Sequence, residues 1–172
     1  MAQKEADVVV LLGMMGSGKT TVGRALARRT GWRYMDNDEL VRLVSGRAPE
    51  EIDAAQGEDA LHRAEAQALR HALTAPPPLI AGAAAWVVTD PDSVALLRAA
   101  PAVVYLRNQP KTLHARIGRG DGRRDDATDL AWLQARHAER DAVYRELARL
   151  TIDTDELDAE TVAGLIVEAL GA

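Results

Sequence analysis

The stretch GMMGSGKT, residues 13–20, follows the apolar run DVVVLL (7–12) and precedes the helical pattern VGRALARRT (22–30). It fits the phosphate-binding pattern G-x-x-x-x-G-K-[ST], and a strand before it with a helix after it is the context that this motif requires. Glycines allow backbone N–H groups to surround phosphate oxygens, and the helix N-terminus adds positive potential there. The stretch therefore predicts an α/β protein that binds a nucleotide.

Two side chains at the end of this loop have different expected roles. Lys19 is placed to reach the β- and γ-phosphates, and Thr20 is placed to ligate Mg²⁺. The residues that we expect around the phosphates are Gly13, Met15, Gly16, Ser17, Gly18, Lys19, Thr20 and Thr21.

Short apolar runs alternate with amphipathic stretches along the rest of the chain. Strands are predicted at 7–12, 32–36, 79–82, 102–106 and 150–153. Helices are predicted at 22–30, 38–44, 57–74, 90–98, 110–117, from 130 onward and over the C-terminal stretch. A break is expected at 46–49, and a mobile loop at 118–129, which is rich in Gly, Arg and Asp. The alternation predicts a five-stranded parallel sheet with helices on both faces.

Two of these helices have a recognisable buried face. In the helix from residue 57, the expected stripe is Ala60, Ala64, Ala68 and Ala72, with Leu61, Leu69 and Leu73 beside it. In the terminal helix, the expected buried residues are Val162, Leu165, Ile166, Ala169 and Leu170.

Composition narrows the class of protein. The chain has 172 residues, 47% of them hydrophobic and 27% charged, which predicts one globular domain over residues 1–172. No apolar run approaches the length of a membrane span, and MAQKEAD at the start lacks a signal-peptide layout, so no membrane partner is expected. The absence of cysteine excludes a disulfide framework and fits a cytoplasmic protein. A net charge of −5 argues against a general nucleic-acid binder.

A second polar group, Asp36-Asn37-Asp38, follows the second predicted strand. The carboxyl ends of parallel strands face the ligand crevice, so both carboxylates can reach it. If the chain stays extended, the two side chains share one direction. One carboxylate could then hold metal-bound water while the other accepts a proton from an attacking hydroxyl. The alternative is that one of them only caps the helix that starts at Glu39.

Several blocks together resemble the shikimate kinases, and the resemblance runs nearly end to end. The blocks are GMMGSGKTTVGRALA, YMDNDELV, GEDALHRAE, LIAGAAAWV, ERDAVYRELA and LTIDTDELDAETVAGLI. The resemblance implies a three-layer P-loop kinase fold, with ATP and Mg²⁺ as cofactors. It also implies a small-molecule acceptor, shikimate, whose hydroxyl receives the γ-phosphate, and we expect a monomer.

The resemblance also implies roles for particular residues. Asp36 would support the metal through water, and Asp38 would bind ring hydroxyls and act as the base. Arg140 would clamp the substrate carboxylate, Arg116 would lie near the adenine, and Arg123 would be the lid arginine on the transferring phosphate, with Arg124 as the alternative alignment. The acceptor-binding segment would span about 38–74 and the lid about 117–128.

The acceptor side departs from the family pattern. The arginine of F-R-x-x-E is His62, and the glycines of T-G-G-G are Ala83-Ala84-Ala85. We expect His62, Ala83 and Ala84 to contact the substrate. An alanine costs about 1–2 kcal/mol wherever the backbone must be left-handed, so the turn either takes another path or serves another acceptor. Trp86 is either a core residue or a surface for the acceptor ring.

Three interpretations remain open at this point. The first is a kinase acting on shikimate or on a related cyclitol or sugar. The second is a nucleotide-binding protein of the same fold that has lost efficient phosphotransfer or altered its acceptor. The third is a nucleoside or nucleotide kinase, which would be expected to carry more basic or aromatic residues within 39–75 than this chain has.

Overall fold

The computed structural model describes residues 7–117 and 129–171, and within them the chain forms one five-stranded parallel sheet of order β2-β3-β1-β4-β5. The strands are β1 Val8–Leu12, β2 Arg33–Met35, β3 Leu79–Gly82, β4 Ala102–Arg107 and β5 Leu150–Asp153. The helices are α1 Lys19–Thr30, α2 Asn37–Ser45, α3 Pro49–Gln56, α4 Glu58–Thr74, α5 Pro91–Arg98, α6 Pro110–Ile117, α7 Leu130–Leu147 and α8 Ala159–Leu170. A 3₁₀ turn spans Ala85–Thr89. None of these described helices is long and apolar enough to cross a bilayer.

The central strand β1 has a buried side chain on both faces of the sheet. Val9 and Leu11 pack with α1 and α8, whereas Val10 and Leu12 pack with α5, α6 and α7 on the other side. All four side chains have no exposed surface, as expected for a parallel strand covered by helices on both faces. The predicted three-layer α/β fold is therefore confirmed.

The break expected at 46–49 is confirmed, because α2 ends at Ser45 and Gly46 is its C-cap. Helix α3, which begins at Pro49, was not predicted, although proline fits the first turn of a helix, where no N–H donor is needed.

One prediction for α8 was wrong in part. In α8, Leu165 and Ala169 were expected inside but are exposed, and Ala163 is buried instead. Val162, Ile166 and Leu170 are buried as expected, so the buried face is only shifted toward Ala163.

Helix α1 lies against β2 at a point where no side chain fits on the helix. A Cβ atom built on Gly23 would lie 2.2 Å from Cε2 of Tyr34. Burial of the Tyr34 ring raises the pKa of its hydroxyl to about 12. The ring thus occupies the space that a larger residue at position 23 would need.

Asp141 of α7 joins that helix to β4. Its Oδ1 accepts a hydrogen bond from Oη of Tyr105 at 2.9 Å and another from Nε of Arg107 at 2.8 Å. Arg107 also donates from Nη1 to Asp153 of β5 at 3.0 Å. The Asp141 carboxylate therefore fixes α7 to β4, and Arg107 extends the network to β5.

The hydrogen bonds at Asp141 set the charge states of the group. Burial alone would raise the pKa of Asp141, but the donors Arg107 and Tyr105 outweigh it and hold the pKa below its usual value. Burial, reinforced by the neighbouring carboxylate, raises the pKa of the Tyr105 hydroxyl. Asp141 is therefore a carboxylate, and Tyr105 a neutral donor, near neutral pH.

Replacing Gly23 by alanine should lower the free energy of unfolding by about 1–3 kcal/mol, because Tyr34 must move. The matched control is Gly164→Ala in α8, where the new Cβ would meet only the Arg29 guanidinium, at 3.6 Å. The Gly164→Ala change should raise the free energy of unfolding by about 0.5–1 kcal/mol, the usual gain of alanine over glycine in a helix. Urea unfolding measures the free energy of unfolding of both variants. Equal stabilisation by the two substitutions would contradict the packing described here.

Asp141→Asn should destabilise the protein at pH 7 by about 1–3 kcal/mol, because the charged acceptor of two hydrogen bonds is lost. A carboxylate with a lowered pKa contributes stability above its unfolded pKa, and that contribution disappears as the pH falls through the folded value. The difference between wild type and variant, measured by urea unfolding, should therefore shrink below about pH 4. Asp59→Asn, at an exposed aspartate, should change stability by less than about 1 kcal/mol. If the difference in free energy of unfolding between wild type and Asp141→Asn stays constant down to pH 2, the hydrogen bonds described for Asp141 do not contribute as stated.

Candidate active site

A cleft of about 1000 Å³ opens at the carboxyl ends of the strands. It is bordered by the loop before α1, the starts of α2, α3 and α4, the 3₁₀ turn, and helices α6 and α7. Of the residues expected in a site, it brings together Met15, Gly16, Ser17, Gly18, Lys19, Thr20, Thr21, Asp36, Asp38, His62, Ala83, Ala84, Arg116 and Arg140. Gly13 lies behind the loop and does not line the cleft. Arg123 and Arg124 lie outside the described residues, as does the expected lid beyond Ile117.

The loop between β1 and α1 is built on its glycines. Gly16 and Gly18 have φ values of 81° and 92°, a region that a side chain would strain. This path carries the chain into the first turn of α1, and the amine of Lys19 folds back over the loop. Its Nζ donates to the carbonyl oxygens of Gly13 at 2.7 Å and Met14 at 3.0 Å. A fixed amine at the N-terminal end of a helix is suited to an anionic phosphate chain.

Arg116 of α6 lies against the outer side of the same loop. Its Nη1 donates to the carbonyl oxygen of Gly16 at 3.2 Å. This position adds a second positive charge beside the loop. The side chain was expected near an adenine, and the structure places it in the cleft beside Gly16 of the loop.

Asp36 is the N-cap of α2. Its Oδ1 accepts from the backbone N–H of Glu39 at 2.8 Å, and the Glu39 carboxylate accepts from the Asp36 N–H at 3.2 Å. The chain therefore turns into a helix at Asn37, and the extended geometry considered for Asp36 and Asp38 is not formed. Asp38 lies in the first helical turn, and both carboxylates still border the cleft.

The oxygen donors at the loop fit magnesium. In the described part of the chain, no group of three or more His, Cys, Asp and Glu side chains could hold a metal ion. Magnesium is usually bound by one or two protein carboxylates together with substrate phosphates, so a full protein cage is not required. The Thr20 hydroxyl and the Asp36 carboxylate, whose capping bond uses only Oδ1, are donors of the right kind.

The acceptor side of the cleft contains an aromatic pair that the sequence did not predict. The imidazole of His62 stacks on the indole of Trp86, with ring centroids 4.0 Å apart and an interplanar angle of 20°. His62 also lies 3.6 Å from the carboxylate of Glu58, one helical turn earlier. Trp86 therefore packs against His62 and is not only a core residue. Arg63, the neighbouring arginine, is exposed.

The alanine turn is unstrained. Ala84 has φ and ψ of −63° and 145°, and no described residue other than glycine has a positive φ. Ala83 and Ala84 are 5% and 9% exposed and belong to the core, so they border the cleft with little surface. The expected cost of alanine is avoided because the backbone at Ala84 is extended, with a negative φ that any residue adopts. Tyr144 of α7 fixes the turn, since its hydroxyl donates to the carbonyl oxygen of Ala85 at 2.5 Å.

Helix α7 contributes two half-buried arginines to the cleft. Arg140 lies with Nη1 3.9 Å from the sulfur of Met14, and its buried Nε has no hydrogen-bond partner among the described residues. Arg136 pairs with Glu139 at 2.7 Å and lies over the ring of Trp132. Arg140 therefore lies close to Met14, whereas Arg136 contacts residues of its own helix.

Several residues that line the cleft were not singled out from the sequence. They are Asn37, Glu50, Asp53, Glu58, Trp132 and Glu139. Glu50 and Asp53 were missed because α3 was not predicted. Asn37 could have been noticed as the middle of its Asp-Asn-Asp group, and its side-chain amide donates to Glu65 of α4 at 3.2 Å.

Comparisons with known proteins agree with this geometry. A family model described as shikimate kinase matches residues 15–171. A shikimate kinase of Moorella thermoacetica is 39% identical over 168 residues, covering 95% of this chain and 94% of the relative. One of Symbiobacterium thermophilum is 37% identical, covering 94% and 95%. The solved shikimate kinase from Acinetobacter baumannii, in complex with shikimate, superposes with a TM-score of 0.84 at 28% identity, over 94% of this chain and 91% of that one. The chain belongs to the shikimate kinase family.

Proposed function

We propose that this protein transfers the γ-phosphate of ATP to a hydroxyl group of shikimate. The observation that carries the proposal is that one cleft is lined by the phosphate loop, Asp38 and Arg140, in a chain of this family. The Acinetobacter baumannii structure, which holds shikimate, supports the choice of acceptor. Family membership favours a phosphotransferase over a binding protein without activity and over a nucleoside kinase.

The proposed transfer uses four side chains that line the cleft. The acceptor hydroxyl oxygen attacks the γ-phosphorus, the bond between that phosphorus and the β–γ bridging oxygen breaks, and ADP leaves with the electron pair. The Asp38 carboxylate is the group that accepts the hydroxyl proton. Lys19 stabilises the charge that develops on the phosphate oxygens. Thr20 and Asp36 are the residues that would hold Mg²⁺, which neutralises phosphate charge when bound.

The acceptor occupies the part of the cleft between α2, α4 and α7. Residues 38–74 supply most of this wall, and Arg140 supplies the cation for the carboxylate of shikimate. A guanidinium binds a carboxylate with two parallel hydrogen bonds, which fixes orientation as well as affinity. The hydrogen bond from Asn37 to Glu65 joins α2 to α4 and keeps Asp38 at a constant distance from this wall.

Shikimate should stimulate ADP release from ATP, and that measurement tests the proposal directly. We expect saturable turnover with a KM in the micromolar-to-millimolar range, which is ordinary for enzymes. Related cyclitols, sugars and nucleosides, assayed at the same concentration, should release ADP more slowly than shikimate does. A preference for a sugar or nucleoside, or bound ATP with no acceptor-dependent ADP, would contradict the proposal.

Asp38→Asn should lower kcat by about 10²- to 10⁴-fold while leaving ATP binding unchanged, because the base is lost and the phosphate loop is intact. Kinetics with shikimate and calorimetry with ATP measure the two effects separately. The control is Asp92→Asn, at an exposed aspartate outside the cleft, which should keep wild-type kinetics. Retained activity in the Asp38 variant would remove that residue as the base.

A further inference from the structure

Tyr34, the middle residue of β2, borders the cleft and is enclosed by two glycines. A Cβ atom built on Gly23 would lie 2.2 Å from Cε2 of the ring, and one built on Gly82 would lie 2.9 Å from its Oη. The Cβ position on Gly82 also lies 3.7 Å from Cα of Asp36. The ring therefore extends from α1 to the end of β3, and its hydroxyl ends close to the backbone of Asp36.

The Tyr34 hydroxyl is a buried polar group that lacks a partner. Its Oη makes no hydrogen bond to any of the described residues. Burial raises the pKa of this hydroxyl to about 12, so it is neutral near neutral pH. A neutral phenol can donate one hydrogen bond and accept another. Both capacities are unused in the structure.

Tyrosine at this position has a cost that phenylalanine would not have. A hydroxyl that is buried without a partner loses its hydrogen bonds to water and gains none in return. Because the ring packs against Gly23 and Gly82 with its carbon atoms as well, the oxygen is not needed for packing. Oη lies at the wall of the cleft, so its partner is expected to come into place when the cleft is filled.

The polar neighbours of the Tyr34 hydroxyl are the two groups that would hold Mg²⁺. After burial, Thr20 and Asp36 affect the pKa of this hydroxyl most, Thr20 by lowering it and Asp36 by raising it. A threonine hydroxyl that gives a lone pair to a metal ion still has a proton to donate, and Oη of Tyr34 can accept it. The capping bond of Asp36 uses Oδ1, which leaves Oδ2 as an acceptor for the phenolic proton.

We propose that Tyr34 is a positioning residue of the magnesium site, whose hydroxyl links Thr20 to Asp36 when a magnesium nucleotide is bound. The inference rests on the proposed function, because it needs these two residues to hold the metal. Tyr34 accepts the proton of the Thr20 hydroxyl and donates its own to the Asp36 carboxylate or to a water that this carboxylate holds. One enclosed ring then orients both metal-holding groups. A nucleotide that binds without metal gains nothing from this link.

Tyr34→Phe removes the hydroxyl and keeps the ring. The measurement is the dissociation constant of ADP, by calorimetry, in EDTA and over a series of Mg²⁺ concentrations. In EDTA the variant should bind ADP as the wild type does. The Mg²⁺ concentration that gives half of the tightening should rise about tenfold or more, as is usual when a residue that supports a metal ligand is removed. The urea midpoint of the ligand-free variant should equal or exceed that of the wild type, because no hydrogen bond is lost.

Tyr105→Phe is the matched control. The Tyr105 hydroxyl is also buried, but it donates to Asp141 and does not line the cleft. This variant should lower the urea midpoint and leave the Mg²⁺ dependence of ADP binding unchanged. If Tyr34 had only a structural role, Tyr34→Phe would show the same pattern as Tyr105→Phe.

A double-mutant cycle tests whether Tyr34 acts through Thr20. Thr20→Val keeps the shape of the side chain and removes its hydroxyl. In that background, Tyr34→Phe should change the Mg²⁺ dependence of ADP binding less than it does in the wild type, because one end of the link is already missing. Fully additive effects of the two substitutions would contradict the link.

The remaining outcomes separate the inference from the proposed function. If Mg²⁺ tightens ADP binding equally in the wild type and in Tyr34→Phe, the inference is wrong and the proposed function stands. If Mg²⁺ does not tighten ADP binding by the wild type, the metal site assigned to Thr20 and Asp36 fails, and the inference fails with it. Shikimate-dependent ADP release then decides whether the proposed transfer stands.

Discussion

The position of the phosphate loop at the carboxyl end of the central strand is the constraint on which the rest of the structure depends. Strand β1 is buried on both faces, and its chain passes through Gly16 and Gly18 directly into α1. Because every strand of the sheet is parallel, the ends of β2 and β3 open on the same edge. The carboxylates after β2 and the turn after β3 therefore lie at the same end of the sheet as the phosphate loop.

The two halves of the cleft are built differently. The nucleotide half rests on backbone geometry, with Lys19 held by the loop carbonyls and Arg116 supporting the loop from outside. The acceptor half rests on side-chain packing, in which Trp86 supports His62 and Tyr144 fixes the turn. A change in the second half can therefore alter acceptor binding while the first half keeps its nucleotide.

Helix α7 connects the cleft to the central strands of the sheet. It carries Arg140 into the cleft, and the adjacent Asp141 joins the helix to Tyr105 and Arg107 on β4. The rings of Tyr105 and Tyr144 lie 4.7 Å apart, so the network continues to the alanine turn. The orientation of Arg140 thus depends on a charged cluster outside the cleft.

The sequence predicts the features that depend on local patterns and misses those that depend on contacts between distant elements. The strands and the loop are recognisable because apolar runs and glycine spacing follow from backbone geometry. Helix α3 was missed because Pro49 was taken for a breaker, although proline is favoured in a first helical turn. The stack of His62 on Trp86 has no sequence pattern, since it depends on how α4 and the 3₁₀ turn pack. For Asp36, the capping interaction was a stated alternative, and the structure forms it.

A crystal structure of the protein with ADP, Mg²⁺ and shikimate tests the central claim most directly, because it locates the acceptor in the cleft. We predict that the shikimate carboxylate lies within hydrogen-bonding distance, about 3 Å, of Arg140. A ring hydroxyl should then lie beside Asp38 and face the phosphate loop. A carboxylate turned away from Arg140, with no hydroxyl within reach of Asp38, would contradict the account.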